Sequence, residues 1–209
     1  MGLPNAITEA GLPVAGVREV RRLKTRARLF DAALAEIGRC GLAGADVSAI
    51  ASAAGVVRGT FYFHFPTKEH VLAELERNEE IRIVAELTLA QTEADGLSSV
   101  LSQLVRNVVT AERRLGPVVF RDMLGLHFAG TRPAEDQLSE HPIAEFVIAA
   151  ITDAQNAGRV PLEADASELG VFFMTGLFAL LATGIHGSAT ADAVMDRYVM
   201  TIVEGMETR

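Results

Sequence analysis

Residues 46–75, DVSAIASAAGVVRGTFYFHFPTKEHVLAEL, constrain this chain more than any other stretch, because they describe two short helices joined by a glycine turn. Asp46 is placed to cap a helix whose apolar face is Val47, Ile50, Ala51 and Ala54. Ala49, Ala51, Ala53 and Ala54 are small enough to let a second helix come close. Gly55 supplies the positive φ that ends a helix and turns the chain. Val56 is expected as a buried pivot, followed by a second short helix from about Arg58 to His64. Pro66 stops that helix, since the residue before a proline avoids helical geometry. Thr67 is expected to cap the next one. Helix, tight turn, helix is the unit whose second member fits the DNA major groove.

Charge sharpens that reading. A formal net charge of −8 over 209 residues argues at first against a nucleic-acid partner. Yet residues 17–72 carry nine Lys/Arg against five Asp/Glu, while the remainder carries ten against twenty-two. One basic segment on an acidic body suits a protein whose first quarter alone meets phosphates. With 49% hydrophobic and 22% charged residues, the composition is globular and ample for a core. No apolar run reaches the roughly 18 residues of a membrane span, so no membrane partner is expected. The N-terminus has no basic segment followed by an apolar one and is not expected to be a signal peptide. Residues 1–16, punctuated by Gly and Pro, are expected to form a disordered arm. A lone cysteine, Cys40, excludes an internal disulfide and fits a cytoplasmic protein. Its expected role is a small apolar residue near a helix end, rather than a redox sensor.

The remaining periodicity is helical, giving an all-α chain of about nine helices. Val20, Leu23, Ala27, Phe30, Leu34 and Ile37 set a first helix over about 18–40, ended by Gly41. A fourth helix starts at Thr67 and runs without Gly or Pro to about Thr92, long enough to link two regions rigidly. Further helices are expected at 97–115, at 118–128 after Gly116-Pro117, and from Pro142 to Gly158. The polar segment 130–141 between the last two is expected as a loop. Asp165 to Glu168 resembles a capping box ahead of a helix over 169–183. Gly184 to Gly187 is a turn, and Thr190 caps a final helix to about Glu207.

Ile50-Ala51, Ala54-Gly55-Val56, Gly59-Thr60-Phe61-Tyr62, His64-Phe65 and Lys68-Glu69 together resemble the TetR family of ligand-controlled transcriptional regulators. The resemblance is detailed over about residues 20–75. It implies a helix-turn-helix DNA-binding domain at 17–66 and a larger effector-binding and dimerisation domain at 67–209. The implied function is a repressor that binds a palindromic operator as a homodimer and is released by a small molecule. Transcriptional activation by the same fold is the alternative. A helical carrier or enzyme with a degenerate head is a third reading.

Candidate DNA-binding residues follow. Arg58, in the first turn of the second short helix, can span guanine O6 and N7, and Gly59 allows close approach. Thr60 is a candidate for a thymine methyl. Tyr62 stands at the family's phosphate-contact position, His64 is a candidate for the same contact, and Lys68 lies at a helix N-terminus that attracts phosphate. Arg21, Arg22, Lys24, Arg26 and Arg28 make a basic approach to the first helix. Two positions depart from the family pattern: Asp46 replaces a threonine that donates to phosphate, leaving Ser48 to substitute, and Val57 replaces a serine.

In such regulators helices four to seven enclose an effector cavity. Phe120, Met123, Leu124, Phe128, Phe146, Met174 and Phe178 are candidates to line one for an apolar or amphipathic ligand. Arg121, His127 and His141 are candidates to orient it, although apolar residues at helical spacing also serve as plain core. The resemblance further implies dimerisation through the last two helices, with Leu169, Phe172, Phe173, Gly176, Leu180, Val194, Tyr198 and Ile202 at the interface. No GxSxG, HExxH, phosphate loop or Cys/His spacing is present, so no catalysis, metal or cofactor is expected.

Overall fold

The computed structural model describes residues 16–90, 96–129, 132–133, 141–183 and 191–207. Every regular element among them is an α-helix: α1 (Val17–Gly44), α2 (Val47–Ala53), α3 (Arg58–His64), α4 (Lys68–Ala90), α5 (Leu97–Leu115), α6 (Pro117–Gly125), α7 (Pro142–Asn156), α8 (Ala166–Ala182) and α9 (Ala191–Met206). The expected N-terminal arm, the turn at 184–187, the Thr190 cap and most of the 130–141 loop lie outside the described residues.

The capping chemistry read from the sequence is present. Asp46 accepts from the Ser48 N–H at 2.9 Å, and Asp165 accepts from Ser167 N at 2.7 Å and Glu168 N at 3.2 Å. Gly55 turns α2 into α3 at φ +66°. Gly41, at φ +75°, kinks α1 where the sequence placed its end, and a last short turn continues to Gly44. Prolines 117 and 142 open α6 and α7. The sixth helix stops at Gly125, short of the expected Phe128, and residues 126–128 continue as turns.

The apolar seam of α1 differs from the sequence reading. Val20 and Leu23 are 39% and 49% exposed, whereas Leu29, Ala33 and Ile37 are buried. The first turns of α1 project beyond the helices that cover its later turns, so periodicity there has nothing to pack against.

Two apolar clusters organise the chain. The smaller joins Leu29 and Ala33 of α1, Val47, Ile50 and Ala54 around α2, and Phe61, Phe65 and Val71. The larger runs from Ile37, Leu72 and Leu75 through α5, α6, α7, α8 and α9. Neighbouring residues Val71 and Leu72 therefore belong to different cores, which makes the start of α4 a shared wall. No described helix is long and apolar enough to cross a membrane.

Candidate nucleic-acid interface and effector cavity

The head presents one coherent surface. Phe61 is fully buried and Phe65 nearly so, and they anchor α3 on α1. The opposite side of α3 is left to solvent. There Arg58 donates to Ser48 Oγ at 3.2 Å and to the Tyr62 hydroxyl at 3.3 Å, tying α2 and α3 into one polar patch. Gly59 has open space around it, so a base or backbone can approach. Thr60 and His64 are partly exposed. Burial first, and then Arg22 and Arg26, hold the His64 ring below the usual imidazole range. The sequence reading noted Val57 only as a departure from the family pattern and passed over Phe63; they are 75% and 74% exposed beside this patch. Two bare apolar side chains flanking a recognition helix suit thymine methyl contacts. Their signal was an apolar residue on the polar side of the helix. Of the basic approach, Arg22 pairs with Glu19 and Arg26 with Glu74, while Arg21, Lys24 and Arg28 are exposed.

Lys68 is a correction. Its Nζ donates to the carbonyls of Leu42 at 2.7 Å, Ala45 at 2.9 Å and Ala43 at 3.4 Å. An ammonium has three donors, and all three are directed at the end of α1. Lys68 supplies the cation that α1 lacks in its own last turn. The phosphate role assigned to it is left without a donor. Close by, Asp122 of α6 accepts from the Leu42 N–H at 2.6 Å. The end of α1 is thus held from two sides, by α4 and by α6.

Above this junction the body encloses a cavity of about 360 Å³ between α4, α7, α8 and the segment after α6. Four of the nine residues proposed for effector binding line it: His127, Phe128, Met174 and Phe178. His141, also named as an orienting group, lines it too. Phe120, Met123, Leu124 and Phe146 do not; the first three are buried in the α6 core, and Phe146 packs on its edge. The Arg121 side chain is 66% exposed and sits near Asp122, so it cannot orient a buried ligand. Helical periodicity reports which side chains are buried, not which of them border a void. Ala144, Ile148, Ser167, Gly170, Val171 and Thr175 complete the lining with Glu80.

Glu80 is the residue sequence reasoning missed. Its signal was legible: Glu76 and Glu80 interrupt the stripe Leu72, Ile83, Leu87 on α4, and both are buried, at 3% and 4% exposure. They belong to a polar cluster inside the core. Arg132 donates to Glu76 Oε2 at 3.1 Å, to His141 Nε2 at 2.9 Å and to His127 Nδ1 at 3.3 Å. A guanidinium only donates, so each ring nitrogen facing it accepts and each imidazole carries its proton on the other nitrogen. His141 accordingly donates from Nδ1 to Glu80 Oε1 at 2.8 Å, and His127 donates from Nε2 to Glu76 Oε1. Glu80 Oε2 is buried with no hydrogen-bond partner among the described residues. Burial pushes the Glu80 carboxyl above the usual range; His141 and the Ile143 N–H pull it partly back, and Glu76 adds to the rise.

The proposed dimer face divides. Phe173 is fully buried in the monomer core and has no surface to offer a partner. Phe172 is 63% exposed, and Leu169, Gly176, Leu180, Val194, Tyr198 and Ile202 are half-buried. Tyr198 lies across Gly176 and donates to the Phe173 carbonyl, and burial raises its phenol to about 12.

A sequence model described as bacterial regulatory proteins, tetR family, matches residues 29–75, the span that builds the DNA-facing head. Over that span the chain is similar to the TetR family. It is 35% identical over 97 residues to the HTH-type transcriptional regulator AcrR of Shigella flexneri, a match covering 44% of this chain and 45% of that one. The chain thus spans about half the length of the curated relative it matches. Solved structures share the fold over most of the chain, two of them as follows. FadR from Thermus thermophilus, a TetR family transcriptional repressor in complex with lauroyl-CoA, has a TM-score of 0.73 at 20% identity, covering 88% of this chain and 96% of that one. FadR from Bacillus subtilis in complex with stearoyl-CoA has a TM-score of 0.67 at 17% identity, covering 86% and 98%. At those identities the likeness is one of fold.

Proposed function

We propose that this chain is a ligand-responsive transcriptional repressor that reads a palindromic operator as a homodimer and lets go when a small molecule occupies its cavity. One observation carries the reading: α4 and α6 both grip the end of α1, and the cavity is bordered by α4 through Glu80 and by the segment just beyond α6 through His127. A ligand that shifts either helix reaches the DNA face through Lys68 and Asp122. The division at residues 66 and 67 separates reader from sensor, with the shared start of α4 as the hinge. Relatives in fold hold acyl-CoA, which supports a ligand-bearing body without naming this chain's ligand.

Arg58, Gly59, Thr60, Tyr62, His64 and Ser48 form the proposed DNA contact set, with Arg58 reading guanine. Moving the operator from 99% to 1% bound requires an effector that favours the released form by about 5.5 kcal/mol. Fluorescence anisotropy on duplexes tiling the region upstream of the chain's own gene tests the reading, with wild type and Arg58→Ala compared. The variant is expected to lose about 1–3 kcal/mol of affinity for the selected duplex and to relax specificity at one guanine. Equal binding by both proteins to every duplex would sink it. An operator lying upstream of the promoter elements, with transcription rising on binding, would favour the activator reading instead.

A further inference from the structure

Among the described residues, the buried cluster behind the cavity leaves one side-chain acceptor without a hydrogen-bond partner. Both oxygens of Glu76 and both ring nitrogens of His141 have partners, and Glu80 Oε1 has His141. Glu76, Glu80 and His141 place ligand atoms within 4.8 Å of one another, the spacing of a metal site. Arg132, however, already holds Glu76 and His141, and a cation there would have to displace a guanidinium. What remains among the described residues is a single acceptor, Glu80 Oε2, on a residue that is 4% exposed and lines the cavity. An unpaired buried carboxylate oxygen is costly, and a charged donor is the group that best compensates it.

We propose that the cavity is an amine receptor: its ligand is an apolar molecule bearing one protonated amine, which donates to Glu80 Oε2. This rests on reading the cavity as the effector site and deepens it. The rest of the lining suits the partner. Phe178 packs at a tilt against the His127 ring, 4.3 Å between centroids, and Phe128 also lines the cavity, offering aromatic surface beside the ammonium. Met174, Ile148 and Val171 take the apolar body. The Arg132 guanidinium is already engaged by Glu76 and by the two imidazoles, so an anionic head group gains nothing there. The arrangement separates this cavity from one built to hold a ligand carboxylate or phosphate.

The test is isothermal titration of the full chain with three probes sharing one two-ring body: naphthylmethylammonium, naphthylmethanol and naphthoate. The ammonium probe is expected to bind about tenfold or more tightly than the alcohol, and naphthoate weakest. Glu80→Gln, checked for folding by thermal melting, should bring ammonium and alcohol to near-equal affinity. Ala144→Phe, which fills the cavity from α7, should weaken all three. Naphthoate or alcohol binding as tightly as the amine in wild type, or an amine preference that survives Glu80→Gln, overturns the proposal. Glu80-dependent binding of Zn²⁺ with no amine binding also overturns it, in favour of a metal. If a probe of the wrong charge binds the cavity and releases DNA, the regulator reading stands and only the amine class fails. If no probe binds while operator binding is intact, the cavity is not the effector site and both fail.

Discussion

Lys68 shows how a residue can match a family's DNA-contact position and do different work. A lysine in the first turn of a helix beside a DNA reader suggests a phosphate contact by position alone. Its ammonium instead bridges the carbonyls of Leu42, Ala43 and Ala45, fastening α4 to the kinked end of α1. The two roles separate in one experiment. Lys68→Met should lower stability by about 1–2 kcal/mol, the order expected for losing a charged donor to partly buried carbonyls, seen as a lower urea midpoint with unchanged slope. The salt dependence of operator binding should keep its wild-type slope. A slope reduced by about one unit would mean that Lys68 neutralises a phosphate in the complex.

At the scale of elements, α8 shows what a sequence can and cannot disclose. Its cap at Asp165 and its length were legible from local chemistry, as were the α2–α3 turn at Gly55 and the prolines opening α6 and α7. Those features depend on neighbours in sequence. The partition of α8's apolar surface was not legible, because Leu177 facing the core, Met174 facing the cavity and Phe172 facing outward are chemically alike and differ only in tertiary context. Glu80 was the reverse case: a polar residue in an apolar stripe marks a cavity or a network, and that signal sat in the sequence unread. Gly176, expected to help two subunits approach, serves the fold of one chain. A Cβ there would meet Tyr198 at 2.5 Å from its hydroxyl and 2.9 Å from Cε2. Gly176→Ala should therefore destabilise the protein by about 1–3 kcal/mol through overpacking. Pairing it with Tyr198→Leu should recover part of the loss, because the clash is with the ring. Equal melting temperatures for wild type and Gly176→Ala would place Tyr198 elsewhere.

For the whole molecule, the proposed repressor requires a cavity inside one chain to govern a surface acting in pairs. A single head of this kind reads one half-site, and two-half-site operators need recognition helices about 34–36 Å apart. The α8–α9 surface is suited to supply the pairing. Phe172 is largely exposed, and Leu180, Val194, Tyr198 and Ile202 border a shallow, mostly apolar groove between the same two helices. Contiguous apolar surface of that kind is uncommon on a monomer. The same helix carries Met174 and Phe178 on the cavity wall, so a ligand and a partner subunit would press on opposite sides of α8. Wild type is expected to scatter light as about twice the 22.3 kDa chain. Phe172→Glu, which buries a charge if the face is covered, should return the mass of one chain and remove high-affinity operator binding. The variant should retain cavity ligand binding, because its own cavity lining is untouched. A monomeric wild type, or a dimer indifferent to both Phe172→Glu and Ile202→Glu, would move the interface off these helices. It would also break the proposed link between occupancy and half-site spacing, leaving the α4 and α6 grips on α1 to transmit the signal alone.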